Sequence, residues 1–165
     1  MYEYASAIGQ DSHRFVPEDQ PDKPLVLGGF VVPGERGFDA NSDGDVVLHA
    51  LTNAISGITC RNILGGVADV LCLEQGIQDS RVYLREGLKD LRESGWEVTR
   101  VSFTIEAKRP KLLPLFPEIR EIVGELLGID SSVVGMTATS GEALSDVGRG
   151  LGMMVFCVVN VRRDV

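Results

Sequence analysis

Two short segments contain the only two histidines of this chain, and each sets a histidine near a carboxylate. Asp11 and His13 are two residues apart, so their side chains point to the same side of an extended strand. His49 follows a turn that begins at Asn41, and it lies four residues after Asp45 on one face of a predicted helix. One aspartate and two histidines suit a zinc ion, and three protein ligands leave a fourth position open for chemistry.

The spacing within each segment says nothing about the distance between the two segments. From spacing alone, the commoner case is that His13 is an ordinary loop histidine and that His49 lies on a half-buried helix face. The metal hypothesis requires a strand end and a helix start to meet. If it is correct, we expect Asp11, His13 and His49 to converge within reach of one ion.

A third segment, Thr137-Ala138-Thr139-Ser140-Gly141-Glu142, lies at the end of a predicted strand and is rich in hydroxyl groups. Hydroxyls and N–H groups at a strand end suit phosphate oxygens. A carboxylate beside a phosphate requires a bridging cation, and Mg²⁺ commonly joins carboxylates to substrate phosphates. The segment is therefore a candidate phosphate and metal site, although a hydroxyl-rich surface turn is the more frequent alternative.

Basic residues cluster near the end of another predicted strand, in a chain whose formal net charge is −8. The cluster consists of Lys108, Arg109 and Lys111, and Arg149 stands separately between two glycines. Guanidinium groups suit bidentate recognition of phosphate. Each of these residues could face a phosphate or nucleotide, but a solvated turn is the commoner case.

The size and composition of the chain predict its general class. Its 165 residues predict a single domain, 1–165, with a proper hydrophobic core. The acidic balance argues against a nucleic-acid partner. Three cysteines without a C-x-x-C pair indicate a reducing compartment, so we expect a cytoplasmic protein. No apolar run reaches the ~20 residues that span a bilayer, so we expect no membrane association.

Two common classes of enzyme are disfavoured by missing motifs. No serine or cysteine stands in a nucleophile-elbow pattern, which weighs against α/β hydrolases. No G-x-x-x-x-G-K-[ST] loop is present, which weighs against ATPases.

Hydrophobic periodicity predicts the elements that must position these residues. Three helices are expected at about 44–60, 80–93 and 116–127, and about five strands at 2–10, 25–32, 96–108, 133–139 and 153–162. Gly28-Gly29 indicates a bend or bulge, Pro33-Gly34 a turn, and 62–78 a loop with a short helix. Strands joined through helices imply some parallel pairing. We therefore expect an α+β or α/β two-layer sandwich in which helices cover one face of the sheet.

These segments occur together, in this order and with similar spacing, in one known family. The motifs are Gly9-x-Asp11-x-His13-x-Phe15, Gly28-Gly29, Ser42-Asp43-Gly44-Asp45-Val46-x-x-His49-Ala50-Leu51, Pro110-Lys111-Leu112-Leu113-Pro114, Ala138-Thr139-x-x-Glu142 and Gly148-Arg149-Gly150. Over nearly its whole length the chain resembles the 2-C-methyl-D-erythritol 2,4-cyclodiphosphate synthases of the non-mevalonate isoprenoid pathway.

The resemblance implies an architecture and a reaction. The fold would be an α+β sandwich with a mixed sheet, assembled as a homotrimer whose sheets surround a central cavity and whose active sites lie between subunits. The enzyme would be a CMP-releasing phosphorus–oxygen lyase. The 2-phosphate of a CDP-linked methylerythritol attacks the β-phosphate, and the cyclic diphosphate forms. Zn²⁺ and Mg²⁺ or Mn²⁺ would assist, and such a transfer requires positioning and charge neutralisation rather than a nucleophilic side chain.

The resemblance also implies a role for each matching residue. Asp11, His13 and His49 would hold zinc, and Glu142 would hold the second metal. Asn41 and Ser140 would be the catalytic positions, beside the 2-phosphate and the diphosphate respectively. The remaining implied substrate contacts are Ser42, Gly65, Asp69, Ala107, Lys108, Arg109, Pro110, Lys111, Leu112, Leu113, Thr139 and Arg149; those from Ala107 to Leu113 would form the cytidine pocket, and Arg149 would lie near the trimer axis.

Four departures from the family pattern stand out. Asn41 replaces the usual histidine, so it can donate a hydrogen bond to phosphate but cannot carry charge. Ser140 replaces a threonine and keeps the hydroxyl. Ala143 replaces a lysine and removes a positive charge. The segment Asn62–Gln78 lacks the usual acidic run, and its Asp69 is only near the expected acid.

The departures motivate two alternative hypotheses. The chain could be a catalytically weak trimeric protein that binds a cytidine nucleotide or an isoprenoid diphosphate. It could also carry out a related cyclisation on another cytidylyl substrate. An assay with the CDP-linked substrate separates a synthase from a binding protein, because binding without cyclisation supports only the binding protein. A product survey by mass would reveal a related cyclisation.

Overall fold

A computed structural model describes residues 1–20 and 22–165. Its strands are β1 (Tyr2–Arg14), β2 (Pro24–Leu27), β3 (Phe30–Arg36), β4 (Glu97–Glu106), β5 (Val134–Thr139) and β6 (Gly152–Asp164). Its longer helices are α1 (Val46–Thr59), α2 (Ser80–Glu93) and α3 (Phe116–Leu127). Short helical turns occur at Ile63–Val67, Val70–Glu74, Leu113–Leu115, Ser131–Val133 and Gly141–Ala143.

Four strands form the main sheet, in the order β1-β6-β4-β5. Strand β6 is antiparallel to both of its neighbours, whereas β4 and β5 are parallel. Helix α3 lies between β4 and β5 in the chain, and a parallel pair requires such a connection. The mixed α+β fold with a mixed sheet is thereby confirmed.

One face of the sheet is buried under the helices. Alternate residues of β6, from Met153 to Val161, are fully buried and share a core with Leu48, Leu51 and Ile55 of α1. The period-2 alternation of β6 produces this face, and the helical spacing of α1 produces the matching stripe. The opposite face leaves apolar side chains exposed, among them Tyr4, Ile8, Phe156 and Val158.

Gly9 allows α1 to lie directly against β1. A Cβ atom added at Gly9 would lie 2.1 Å from the Ala50 carbonyl oxygen and 2.3 Å from the Ala54 nitrogen. Any larger residue would push the helix away from the strand. This close approach brings the start of α1, with His49, beside the last third of β1.

The buried carboxylate of Asp45 fixes the start of α1. It accepts hydrogen bonds from Leu48 N at 3.0 Å, as a helix cap, and from Gly28 N at 2.8 Å and Gly29 N at 2.6 Å. The two glycines have φ of 60° and 82°, which makes them the turn of a β2–β3 hairpin. The prediction of a bend within one strand was therefore wrong, since the glycine pair separates two strands.

Two other predicted boundaries differ from the structure. Strand β1 continues to Arg14 and pairs with β6 along its whole length, so Asp11 and His13 lie in a strand rather than a loop. Its end is polar, and hydrophobic alternation cannot mark it. The predicted turn at Pro33-Gly34 lies within β3. The strand number is six rather than five because Gly28-Gly29 divides the predicted strand 25–32 into β2 and β3.

The predicted helices agree closely with the observed ones. Helices α2 and α3 have the predicted bounds, and α1 lies within its predicted range. The apolar residues that repeat at helical spacing face the core in the main, although Ile58, Val82, Ile122 and Leu126 are only half-buried. The segment 62–78 contains two helical turns, and Leu64 and Gly65 within the first of them have non-helical conformations. No helix in the described part of the chain is both long enough and apolar enough to cross a membrane.

Candidate active site

Asp11, His13 and His49 converge at the end of β1 and the start of α1. Their ligand atoms lie within 4.8 Å of one another. Asp11 Oδ2 is 3.0 Å from His13 Nε2 and 3.1 Å from His49 Nδ1, and the two histidine nitrogens are 3.1 Å apart. The three atoms therefore surround one small space, which meets the geometric requirement of the metal hypothesis.

The far side of the His49 ring is held by a buried network. Ser80 Oγ donates to Asp43 Oδ1, and Ser80 N donates to Asp43 Oδ2 at 3.0 Å. Because the hydroxyl proton goes to the carboxylate, Ser80 Oγ accepts from His49 Nε2 at 2.8 Å. Because Nε2 carries its proton towards Ser80, Nδ1, which faces Asp11 and His13, is the ring nitrogen whose lone pair a metal ion would take.

The charge state of Asp11 also fits a cation. Burial raises the pKa of its carboxyl, but hydrogen bonds and charge from His13 and His49 outweigh burial and lower the pKa to about 2. The group is thus an anionic oxygen ligand at neutral pH. An oxygen and two imidazole nitrogens are a donor set that suits zinc, so the residues present fit a divalent ion.

A cleft of about 320 Å³ opens from these three residues. Its lining includes the other residues predicted for this side of the site, namely Asn41, Ser42, Gly65 and Asp69. Asn41, Gly65 and Asp69 are exposed, whereas Ser42 is buried and its Oγ accepts from Gly44 N at 3.1 Å. The segment 62–78, whose sequence departs from the family pattern, therefore lies along one wall of the cleft.

Most of the predicted cytidine and diphosphate residues line a second pocket, of about 340 Å³. They are Ala107, Lys108, Pro110, Lys111, Leu112, Leu113, Thr139 and Ser140. The pocket is mainly apolar, with two lysines and two hydroxyls at its edges. Such a mixture suits a flat base with a phosphate attached.

Three predicted residues lie outside both linings. Arg109 donates to Glu35 at 3.3 Å and lies over the Phe15 ring, at 4.5 Å from its centroid. Arg149 pairs with Asp146 at 2.5 Å. Glu142 is exposed and has a φ of 48°, in the left-handed region that residues other than glycine rarely adopt. Strained backbone of this kind is typical of functional turns.

The two pockets belong to opposite edges of the sheet. Ser12 of β1 pairs with Met154, Met154 pairs with Glu106, and Glu106 pairs with Thr139 of β5. Three strand spacings of about 4.8 Å separate these edges, so the two sides of the site are roughly 14 Å apart within one chain.

Sequence reasoning missed several residues around the histidines. Ser80 and Asp43 have the residue types and positions that are typical of helix starts, yet together they orient His49. Their polar character near two helix starts was the available signal, but nothing local indicated that these starts meet. Asp45 was expected beside His49, whereas it binds backbone N–H groups and Asp11 is the carboxylate partner.

Comparisons with known proteins agree with this geometry. A family model described as the YgbB family matches residues 4–162. A 2-C-methyl-D-erythritol 2,4-cyclodiphosphate synthase of Chlamydia trachomatis is 49% identical over 158 residues, which is 96% of this chain and 88% of the relative.

Solved structures share the fold. The bifunctional IspDF of Campylobacter jejuni is similar with a TM-score of 0.89 and 28% identity, over 99% of this chain and 43% of that one, so the chain spans less than half of that protein. A CDP-bound 2C-methyl-D-erythritol-2,4-cyclodiphosphate synthase gives a TM-score of 0.76 and 26% identity, over 95% and 99%. The chain therefore belongs to the YgbB family, the family of the 2-C-methyl-D-erythritol 2,4-cyclodiphosphate synthases.

Proposed function

We propose that the chain converts 4-diphosphocytidyl-2-C-methyl-D-erythritol 2-phosphate to 2-C-methyl-D-erythritol 2,4-cyclodiphosphate and CMP. An oxygen of the 2-phosphate forms a bond to the β-phosphorus, and the bond from that phosphorus to the bridging oxygen breaks. CMP leaves with that oxygen. The convergence of Asp11, His13 and His49 in an open cleft is the observation that carries this proposal.

Two metal sites are part of the proposal. Asp11, His13 and His49 would hold Zn²⁺, and Glu142 would hold Mg²⁺ or Mn²⁺. When bound, such ions neutralise charge on phosphoryl oxygens and polarise the attacked phosphate. The buried Ser80–Asp43 network supports the first site, because it keeps the His49 Nδ1 lone pair directed into the cluster.

The chain's own residues would position the substrate. Asn41 and Ser42, at the mouth of the cleft, would donate to the 2-phosphate, and Gly65 and Asp69 would contact the sugar from the opposite wall. The second pocket would receive the cytidine between Ala107 and Leu113, with Thr139 and Ser140 at the diphosphate. The similarity to a CDP-bound synthase supports this assignment.

The separation of the two pockets supports an active site shared between subunits. A diphosphate cannot reach across the roughly 14 Å between the two sheet edges of one chain. A homotrimer would place the Thr139 edge of one subunit against the histidine edge of the next. The exposed apolar face that contains Ile8 and Phe156 would then line a central cavity, near Arg149. A cytoplasmic location, expected from the cysteine content, is part of the same proposal.

The alternative is a weakly catalytic binding protein for a cytidine nucleotide or an isoprenoid diphosphate. Two observations favour it. Ala143 stands where a lysine is usual, and the exposed Arg149 is paired with Asp146. The turn that would contact the diphosphate therefore has less free positive charge than the family pattern provides.

A CMP-release assay separates the two candidates. The purified protein is loaded with Zn²⁺ and Mg²⁺ and incubated with the CDP-linked substrate. Equal amounts of CMP and cyclic diphosphate are the expected products. Saturable substrate binding without any CMP would reject the synthase and leave the binding protein.

A further inference from the structure

The side chain of Lys23 is bonded to the segment that carries Asn41 and Ser42. Its ammonium donates to the Ala40 carbonyl and, at 2.7 Å, to the Ser42 carbonyl. These two carbonyls flank Asn41. The positive charge therefore lies directly behind the turn that faces the cleft.

The surroundings of Lys23 connect it to the cleft. Asp39 and Ala40 line both the histidine cleft and the small pocket around Lys23. Burial lowers the pKa of Lys23, and the carboxylates of Asp43 and Asp39 oppose that shift. The ammonium is thus half-buried, bonded to two backbone carbonyls and near two carboxylates. The backbone of the Asn41–Ser42 turn lies between it and the cleft.

The departure at Asn41 gives this arrangement a consequence. An amide in place of histidine can donate to phosphate but brings no charge. A cation a few ångströms behind the turn attracts a dianionic phosphate through poorly screened, partly buried space. We propose that Lys23 is a positioning residue that fixes the Asn41–Ser42 turn and supplies the positive charge for recognition of the substrate's 2-phosphate. This inference rests on the proposed function.

A purely structural clamp is the simpler interpretation, and the two roles are separable by substitution. Lys23→Gln keeps N–H donors for the Ala40 and Ser42 carbonyls but removes the charge. Lys23→Arg keeps both the N–H donors and the positive charge. Lys89, an exposed residue of α2, offers a matched control in Lys89→Gln, which removes the same charge at a distant surface.

The test measures the affinity of two probes in the zinc-loaded protein. One is the CDP-linked substrate and the other is the same compound without its 2-phosphate. The dissociation constant of the compound without the 2-phosphate, divided by that of the full substrate, reports how much the 2-phosphate contributes to affinity. In Lys23→Gln we expect this ratio to fall about tenfold, because one partly buried charge is lost. CMP affinity should stay unchanged, and Lys23→Arg and Lys89→Gln should keep the wild-type ratio.

The outcomes distinguish this inference from the proposed function. A wild-type protein that turns over and prefers the 2-phosphate, with an unaltered ratio in Lys23→Gln, would overturn the role of Lys23 alone. A wild-type protein without turnover and without preference would overturn both. A loss of affinity for both probes together, with the ratio preserved, would assign Lys23 to structural clamping only.

A double variant extends the test. Asn41→His places an ionisable ring on the same turn. If Lys23 compensates for a missing cation, Asn41→His should recover at least part of the ratio lost in Lys23→Gln. Independent effects of the two substitutions would contradict compensation, and double-mutant analysis of the four ratios decides between these results.

Discussion

The two sides of the candidate site are built in different ways. On the histidine side, the three candidate metal ligands contact one another, and His49 is held by Ser80 while Asp11 lies against both rings. On the hydroxyl side, the side chains of Thr139, Ser140 and Glu142 are exposed. The hydrogen bonds within this turn are long, at 3.3–3.5 Å.

The difference shows which part of the site one chain completes by itself. The histidine side requires only that β1 and α1 touch, which Gly9 permits. The hydroxyl side lies at the opposite sheet edge, and its exposed side chains have only long hydrogen bonds within their own turn. We therefore expect substitutions on the histidine side to act on a preformed metal site, with the largest consequences.

The largest effect is expected from His49→Ala. Removal of one of three ligands should empty the zinc site and lower CMP release by roughly a thousandfold or more, as expected when metal-ion catalysis is lost. Zinc content by atomic emission and CMP release by chromatography measure the two effects on one sample. Chelation of the wild-type protein should reproduce the loss, and added zinc should reverse it.

Glu142→Gln is the matched control on the hydroxyl side. It should leave the zinc content at its wild-type value while raising the Mg²⁺ concentration needed for turnover. Full zinc content and normal turnover in His49→Ala would remove the first metal from the mechanism and with it the contrast between the two sides.

The next effect concerns the frame beneath the histidine side. Asp45→Ala leaves Leu48 N, Gly28 N and Gly29 N without their acceptor in a buried place. Loss of a cap and of two further buried hydrogen bonds should lower the free energy of unfolding by about 3 kcal/mol. Chemical denaturation of the metal-free protein gives this quantity.

Asp130→Ala provides the comparison for Asp45→Ala. Asp130 also caps a helical turn, but it is exposed and accepts from Ser132 N at 2.9 Å. Asp130→Ala should lower the free energy of unfolding by clearly less than Asp45→Ala does, because water can take the place of the exposed carboxylate. Equal losses in the two variants would mean that burial of the Asp45 carboxylate contributes little.

A smaller effect should follow from Ser80→Ala. The variant keeps all three ligands but removes the acceptor that fixes the His49 tautomer. Loss of such an outer-shell partner typically costs about 10–100-fold in metal affinity. Competition with a fluorescent chelator measures the zinc dissociation constant. Ser94→Ala, at the other end of α2, should leave that constant unchanged; an unchanged constant in Ser80→Ala would contradict the orienting role.

The contrast between the two sides also explains what the sequence could predict. The helices were predictable because Leu48, Leu51 and Ile55 repeat at helical spacing, and Gly128 marks an end with φ of 72°. The histidine ligands were suggested by residue type and spacing. Their convergence was not predictable from spacing, since it depends on the contact between Gly9 and α1, which joins residues about forty positions apart.

Other features depend on tertiary contacts that no local pattern reveals. The end of β1 is polar, so only its pairing with β6 identifies Asp11 and His13 as strand residues. Ser80 has the appearance of a helix-start residue, and its bond to His49 appears only when two helix starts meet. The resemblance to a family supplied the roles of Thr139 and Glu142, which periodicity could not assign.

The smallest effect is a pH dependence of stability on the histidine side. The pKa of Asp11 is lowered to about 2 in the folded chain, below its ordinary value of 3.8. Folding therefore favours the ionised form, so the stabilisation is present above pH 3.8 and is lost as the pH falls towards 2. Asp11→Asn lacks this contribution, and we expect it to be less stable than the wild-type protein by about 1 kcal/mol at pH 5, allowing for solvent screening.

The measurement compares unfolding free energies of the two metal-free proteins between pH 2 and pH 5. Their curves should converge as the pH falls through 2, where Asp11 is about half protonated in the folded wild-type chain. Burial raises the pKa of the Asp45 carboxyl to about 6. Its ionisation therefore lowers the stability of the folded chain as the pH rises, which is opposite to the effect of Asp11. Because Asp45 is present in both proteins, its contribution cancels in the difference. A difference that does not change with pH would mean that the two histidines do not stabilise the Asp11 carboxylate, and the histidine side would then lose its preformed anionic ligand.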